Sequence, residues 1–154
     1  GKHFEFGIWD TAGAEQFRSI APIYFRNANL AFIVADASEP KTDEDAKYWA
    51  QELISKADDD ITIIFVMNKI DLITDQKSVE ARAHALALNY GDHYSLTSAL
   101  EGTGINELFM FSFDLIAKVI KNQQTEDTVP SNNVDIKPTE NSSEQQNASN
   151  KCGC

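Results

Sequence analysis

Three short polar motifs hold the side chains able to do chemistry. In Asn68-Lys69-Ile70-Asp71, the Asp71 carboxylate can accept two hydrogen bonds from the N1–H and exocyclic amine of guanine. Adenine lacks that amine, so Asp71 would set base specificity. Asn68 would fix the loop and touch the base edge, while the aliphatic stem of Lys69 would lie against the purine face. In Thr97-Ser98-Ala99, the small Ala99 lets its backbone N–H reach the base oxygen O6, and Ser98 braces the loop. In Asp10-Thr11-Ala12-Gly13, Asp10 can hold Mg²⁺ directly or through a water, and Gly13 lets a backbone N–H approach a phosphate with no Cβ in the way. Singly, each motif also reads as plain structure: an Asx turn closing a strand, a polar loop with a helix cap, a Ser/Thr turn. Their order, each directly after an apolar stretch, is what points to a nucleotide.

The elements that must position them follow from periodicity. Phe4, Phe6 and Ile8 alternate with Glu5, Gly7 and Trp9, which predicts a strand over 4–9 with Trp9 on the face opposite the three apolar side chains. Leu30–Ala35 and Ile61–Met67 are nearly all apolar, the pattern of strands buried on both faces of a parallel sheet. Tyr94–Leu96 is a shorter candidate strand. Between them, Ala46, Trp49, Ala50, Leu53, Ile54 and Ala57 share one face of a helix over 43–57. A second helix covers 79–89 and closes before Gly91, a C-terminal cap. A third runs over 105–121 with Ile105, Leu108, Phe109, Phe113, Ile116, Val119 and Ile120 as a wide apolar stripe. Residues 17–27, interrupted by Pro22, predict a short or irregular helix. This alternation means α/β with a parallel sheet, and ligands of such sheets bind beyond the carboxyl ends of the strands, where all three motifs fall.

Composition narrows the function classes. The chain has 154 residues with 13 Lys+Arg, 24 Asp+Glu, a formal charge of −11 and two cysteines. Its character changes at Lys121: residues 122–154 hold ten Asn or Gln, no aromatic, and only Val129, Val134 and Ile136 as large aliphatics. Such a segment buries too little to fold and is expected to be a flexible tail. The remaining 121 residues carry 19 acids against 11 bases and no cysteine. This excludes a disulfide framework or a cysteine metal site there, and makes nucleic acid an unexpected partner. No apolar run approaches the roughly 18 residues of a bilayer span, and no signal-peptide pattern opens the sequence, so a cytosolic setting is expected. Cys152 and Cys154, at the end of a polar tail, are well placed to carry two lipid chains, where a single chain would give only marginal membrane residence.

With these residues in view, the chain resembles the Ras-superfamily small GTPases, and within them the Rab family. Trp9-Asp-Thr-Ala-Gly-Ala-Glu15 looks like WDTAGQE, and residues 17–28 look like the Rab switch II helix. Asn68-Lys-Ile-Asp71 matches NKxD, Thr97-Ser-Ala99 matches the start of ETSAK, and Cys152-Gly-Cys154 matches the CxC prenylation signature. The resemblance implies a P-loop NTPase-type fold, GTP/GDP and Mg²⁺ as ligands, and a molecular switch in vesicle-mediated traffic. It also implies effectors, exchange factors and GTPase-activating proteins as partners, together with Rab escort protein and geranylgeranyl transferase acting on Cys152 and Cys154. Nucleotide would be held by Gly13, Asn68, Lys69, Asp71, Ser98 and Ala99, and Mg²⁺ by Asp10. Trp9 and Tyr24 match members of the aromatic effector surface. The expected location is the cytoplasmic face of intracellular membranes, and the wording Ile20-Ala-Pro-Ile-Tyr-Phe-Arg26 leans toward endosomes.

The pattern is broken in three places. No GxxxxGK[ST] occurs, although that loop should cradle the phosphates. The expected organisation is therefore an N-terminally incomplete G domain over 1–121 followed by the tail over 122–154. Loss of the strand preceding that loop would open the core and leave unpaired edges, so residues 1–154 are expected to fold poorly and bind nucleotide weakly or not at all. The alternative is a nucleotide-free interaction protein that competes for prenylation and escort partners. Ala14 stands at the water-orienting Gln position, and its methyl can neither donate to nor accept from an attacking water. Leu100 replaces the usual Lys after Ser-Ala, which implies a modest loss of affinity with guanine preference retained.

Overall fold

The computed structural model describes residues 6–11, 24–26, 28–57, 61–91 and 93–126. Three parallel strands form its sheet: β1 (Leu30–Asp36), β2 (Thr62–Asn68) and β3 (His93–Leu96), in spatial order β1-β2-β3. Helix α1 (Thr42–Lys56) connects β1 to β2, α2 (Gln76–Tyr90) connects β2 to β3, and α3 (Ile105–Glu126) follows β3. The parallel α/β architecture expected from the alternating pattern is the architecture found.

β2 is the central strand and is buried on both faces, as its unbroken apolar run requires. Ile63, Phe65 and Met67 point into one core with Ile33, Ala35, Ala46, Ala50, Leu53, Val79, Ala83, Leu86 and Ala87. Ile64 and Val66 point the other way, against Leu108 of α3, with Leu30, Phe32 and Leu115 around them. Small residues on α1 and α2 let both helices sit close to the sheet: Ala46, Ala50 and Ala83 are buried. Ile54, counted on the apolar face of α1, is instead largely exposed.

Helix ends follow local chemistry. The first turn of α1 carries Asp43, Glu44 and Asp45, whose charges complement the positive end of the helix dipole where no side chain caps it. Asp75 caps α2 by accepting from Ser78 N at 3.2 Å. At the other end the Gly91 N–H reaches Ala87 O at 2.9 Å, but Gly91 is extended and not left-handed. Its lack of a side chain matters for contact: a Cβ there would lie 3.1 Å from both Cβ and O of Ile63. Helix α3 runs on to Glu126, past the compositional break at Lys121, because the Asn and Gln residues after it are compatible with a helix and no Gly or Pro intervenes.

The strand expected over 4–9 is not present in its described part. Residues 6–11 pair with no strand and are exposed. An extended segment becomes a strand only through a hydrogen-bonded neighbour, and among the described residues none lies beside it. The segment is held by a ring contact, Phe6 against Phe113 with centroids 4.4 Å apart, which continues a row through Phe109 to Phe32. Ile8, expected to be buried with Phe6, is as exposed as Trp9. Of the helix expected over 17–27, Tyr24 and Phe25 are helical and the other described residue, Arg26, is in a turn; residues 17–23 and 27 lie outside the described part, as do Phe4, Gly13, Ala14 and the tail beyond Glu126. No helix among the described residues is long and apolar enough to cross a membrane.

Candidate functional site

Parallel strands bring their carboxyl ends to one side of the sheet, and the register here places those ends next to one another. Asp36 is opposite Asn68, and Met67 is opposite Leu96, so the loops after β1, β2 and β3 converge. The junction is stitched by main chain: Ala37 N to Asn68 O at 2.7 Å, Thr97 N to Met67 O at 2.9 Å, and Ile70 N to Thr97 O at 3.1 Å.

The β2 loop turns sharply at Lys69, whose backbone is left-handed with φ 67° and ψ 38°, a conformation uncommon for a residue with a side chain. A single 3₁₀ turn over Ile70–Leu72 follows. Asn68 acts as a brace between loops: its Oδ1 accepts from Thr97 Oγ1 at 3.2 Å and from Ala99 N at 3.0 Å. The second bond alters the expectation for Ala99. The N–H that was to face the base oxygen is turned to Asn68, so a base oxygen placed there would share the donor in a three-centre bond or displace Asn68.

Asp71 and Ser98 meet across the two loops. Ser98 Oγ donates to Asp71 Oδ1 at 2.5 Å and accepts from Glu101 N at 3.2 Å. The Ser98 side chain is fully buried while Asp71 remains half-exposed. The other Asp71 oxygen, Oδ2, has no partner among the described residues. Behind this pair the 97–104 loop is closed by a bridge from Ser98 N to Thr103 O at 2.9 Å. Gly104, with φ +73°, passes so near the end of β3 that a Cβ would sit 2.4 Å from Leu96 O.

Two features escaped the motif reading. Lys69 Nζ donates to Asp36 Oδ2 at 2.6 Å, and Asp36 Oδ1 accepts from Ser38 N at 2.9 Å and Ser38 Oγ at 2.6 Å. The Lys69 hydrogen bond, aided by those from Ser38, lowers the Asp36 pKa to about 2, and the same pairing raises that of Lys69. The second feature is Arg82 on α2. Its guanidinium grips both Asp43 oxygens at 2.7 Å and donates to Ala37 O at 2.9 Å, tying α2 to the turn before α1. The signal for Asp36 was its place at the carboxyl end of a strand; Arg82 had none.

The remaining candidates that the structure describes, Trp9, Asp10 and Tyr24, lie outside these loops. Asp10 lies in the exposed segment 6–11 and shares no hydrogen bond with 68–71 or 97–99. Trp9 is 74 % exposed and lies near Tyr24, ring centroids 6.0 Å apart, so the two aromatics proposed as a surface do lie together. Leu100 is also exposed. Gly13, Ala14, Cys152 and Cys154 are outside the described residues.

Comparison with known proteins gives these loops a family. A Ras family model matches residues 1–145. The GTP-binding protein ypt5 of Schizosaccharomyces pombe is 43% identical over 103 residues, 66% of this chain and 49% of its own length. Ras-related protein Rab-21 of Mus musculus is 34% identical over 132 residues, covering 86% and 58%. Ras-related protein RABF2b of Arabidopsis thaliana is 34% identical over 122 residues, covering 79% and 60%. The chain thus spans about half to three fifths of the length of these relatives. With a Ras-type parallel sheet and the Asn68–Asp71 and Thr97–Ala99 motifs at its strand ends, the chain belongs to the Ras family, as a Rab-type small GTPase.

Proposed function

We propose that the loops after β2 and β3 form the base-reading half of a GTP/GDP site, and that the protein works as a molecular switch in vesicle-mediated membrane traffic. The observation that carries this is the Asp71–Ser98 pair. Ser98 occupies one lone pair of Oδ1, which orients the carboxylate and leaves Oδ2 and the remaining Oδ1 lone pair for two donors in one plane. The N1–H and amine of guanine are such donors. Asn68 holds the two loops at a fixed spacing and the Lys69 stem supplies an apolar wall. Of the remaining nucleotide ligands, Gly13 would approach the phosphates and Asp10 would hold Mg²⁺, the ion that neutralises charge developing during hydrolysis.

Asp71→Asn, made in the full-length gene product, tests the reading. The amide oxygen introduced there keeps the Ser98 and N1–H bonds, while the amide nitrogen meets the guanine amine donor to donor. Loss of a charge-assisted bond plus an unpaired donor predicts an affinity for GDP lower by about 100-fold or more. Xanthosine diphosphate, with an oxygen in place of the amine, should then bind the variant better than GDP does. Equal GDP affinity of variant and parent in a fluorescence titration would remove Asp71 from the base site.

Hydrolysis should be slow, because Ala14 offers no group to orient the attacking water. In the full-length gene product, Ala14→Gln should raise the rate stimulated by a GTPase-activating protein by at least about tenfold; equal single-turnover rates would refute the role given to this position. Geranylgeranylation at Cys152 and Cys154, delivered by Rab escort protein and geranylgeranyl transferase, would anchor the protein to the cytoplasmic face of intracellular membranes, including endosomes. Intact-mass measurement on membrane-derived protein reads two added prenyl groups directly. Trp9 and Tyr24 would meet effectors, their exposure and proximity being the support for this.

A further inference from the structure

We infer that Asp36 is a positioning residue of the base site: it holds the Lys69 ammonium so that the lysine stem stands as a preformed wall for the purine. This rests on the proposed guanine-nucleotide site and extends it to a residue outside the three motifs. Both ends of the Lys69 side chain are fixed. Its backbone is set by the left-handed turn and by Ile70 N bonding to Thr97 O. Its ammonium is set 2.6 Å from Asp36 Oδ2. The stem between them crosses from the end of β2 toward the end of β1 and keeps 54% of the side chain accessible, which leaves the methylenes open to a flat ligand.

Asp36 is itself prepared for this task. Only 19% of its side chain is accessible, and Ser38 binds Oδ1 through both backbone and hydroxyl, turning Oδ2 toward Lys69. Its main chain is anchored too, Asp36 N donating to Thr42 Oγ1 at 3.0 Å. An exposed ion pair between two mobile side chains does little, because ordering both offsets the attraction. Here the carboxylate is already ordered, so only the lysine remains to be restrained. A free lysine would lose its rotamer freedom when the purine binds; one held by Asp36 has lost it beforehand.

The test is a double-mutant cycle in the full-length gene product, read by equilibrium titration and dissociation kinetics of a fluorescent GDP analogue. Asp36→Asn keeps the shape and the Ser38 contact but removes the charge. It should weaken binding about two- to fivefold, mainly through faster dissociation. Lys69→Met retains an apolar stem without the ammonium, and in that background Asp36→Asn should have no further effect. Ser38→Ala should act in the same direction as Asp36→Asn, more weakly, and serves as the second probe if Asp36→Asn does not fold. An Asp36→Asn effect of equal size in the parent and in the Lys69→Met background would mean that Asp36 acts through the fold alone and would overturn the inference, as would unchanged affinity in Asp36→Asn. If the parent protein fails to bind the analogue, the base-site reading itself falls and the inference with it.

Discussion

Gly104 and Gly102 offer a matched pair for asking whether the loop after β3 is held by conformation or by contact. Both are left-handed, with φ +73° and +77°. An Ala at either position pays for a positive φ, about 1–2 kcal/mol. The surroundings differ: a Cβ on Gly102 meets nothing within 4 Å, whereas one on Gly104 would lie 2.4 Å from Leu96 O and 3.4 Å from Thr97 Cγ2. Leu96 ends β3, so its carbonyl cannot yield without moving the strand end that presents Thr97, Ser98 and Ala99. Overpacking of this kind adds about 1–3 kcal/mol. Gly104→Ala should therefore cost about 2–5 kcal/mol against about 1–2 for Gly102→Ala, a large part of a domain's total of about 5–15 kcal/mol. Urea unfolding monitored by circular dichroism reads both costs as shifts in midpoint at constant slope. In the full-length gene product, Gly104→Ala should also weaken GDP binding, because the Ser98 brace on Asp71 moves with the strand end. Coincident midpoints for the two variants would show that the close approach to Leu96 O contributes nothing.

The charged pairs carry two further predictions. Asp36 should titrate near 2 instead of the ordinary 3.8; its contribution to stability is complete above the unfolded value and fades as pH falls from about 4 toward 2, since protonation releases Lys69 and Ser38. Carbon-detected NMR of its carboxyl group measures this, and a midpoint at 3.8 would remove the pairing from solution. Arg82→Met should lower stability by about 1–3 kcal/mol, because Asp43, 15% accessible, loses both hydrogen bonds and the Ala37 carbonyl loses one. Arg82→Lys should recover less than about half of the loss in calorimetry, since an ammonium cannot reproduce the two-pronged grip; full recovery would mean that charge alone matters.

Much of the fold was legible because the deciding physics is local in sequence. Ile61–Met67 had to be a strand covered on both faces, and β2 is one: its odd-numbered residues face α1 and α2, and its even-numbered ones face α3. The Asn68–Asp71 and Thr97–Ala99 loops were legible for the same reason, each following directly on such a strand. What periodicity could not reveal depended on a second segment. Alternation at 4–9 specifies an amphipathic extended chain, but a strand also needs a neighbour, and the described part of that segment rests on α3 through Phe6 instead. Gly91 does cap α2, but the reason a side chain is unwelcome there, a 3.1 Å approach to Ile63, comes from a strand far back in the chain.

Asp36 shows where a sequence reading can be extended. Nothing in Ala35-Asp36-Ala37-Ser38 forms a motif, and an Asp followed two residues later by Ser reads as a turn. Yet once β1 and β2 are assigned as adjacent parallel strands, their carboxyl ends come to the same side of the sheet, and the register sets Asp36 beside Asn68. A charged residue at that place is next to whatever the neighbouring loop binds. The Lys69 side chain then has a partner of opposite charge within reach across the strand gap of about 4.8 Å. The strand register, not the loop sequence, is what makes Asp36 part of the candidate site.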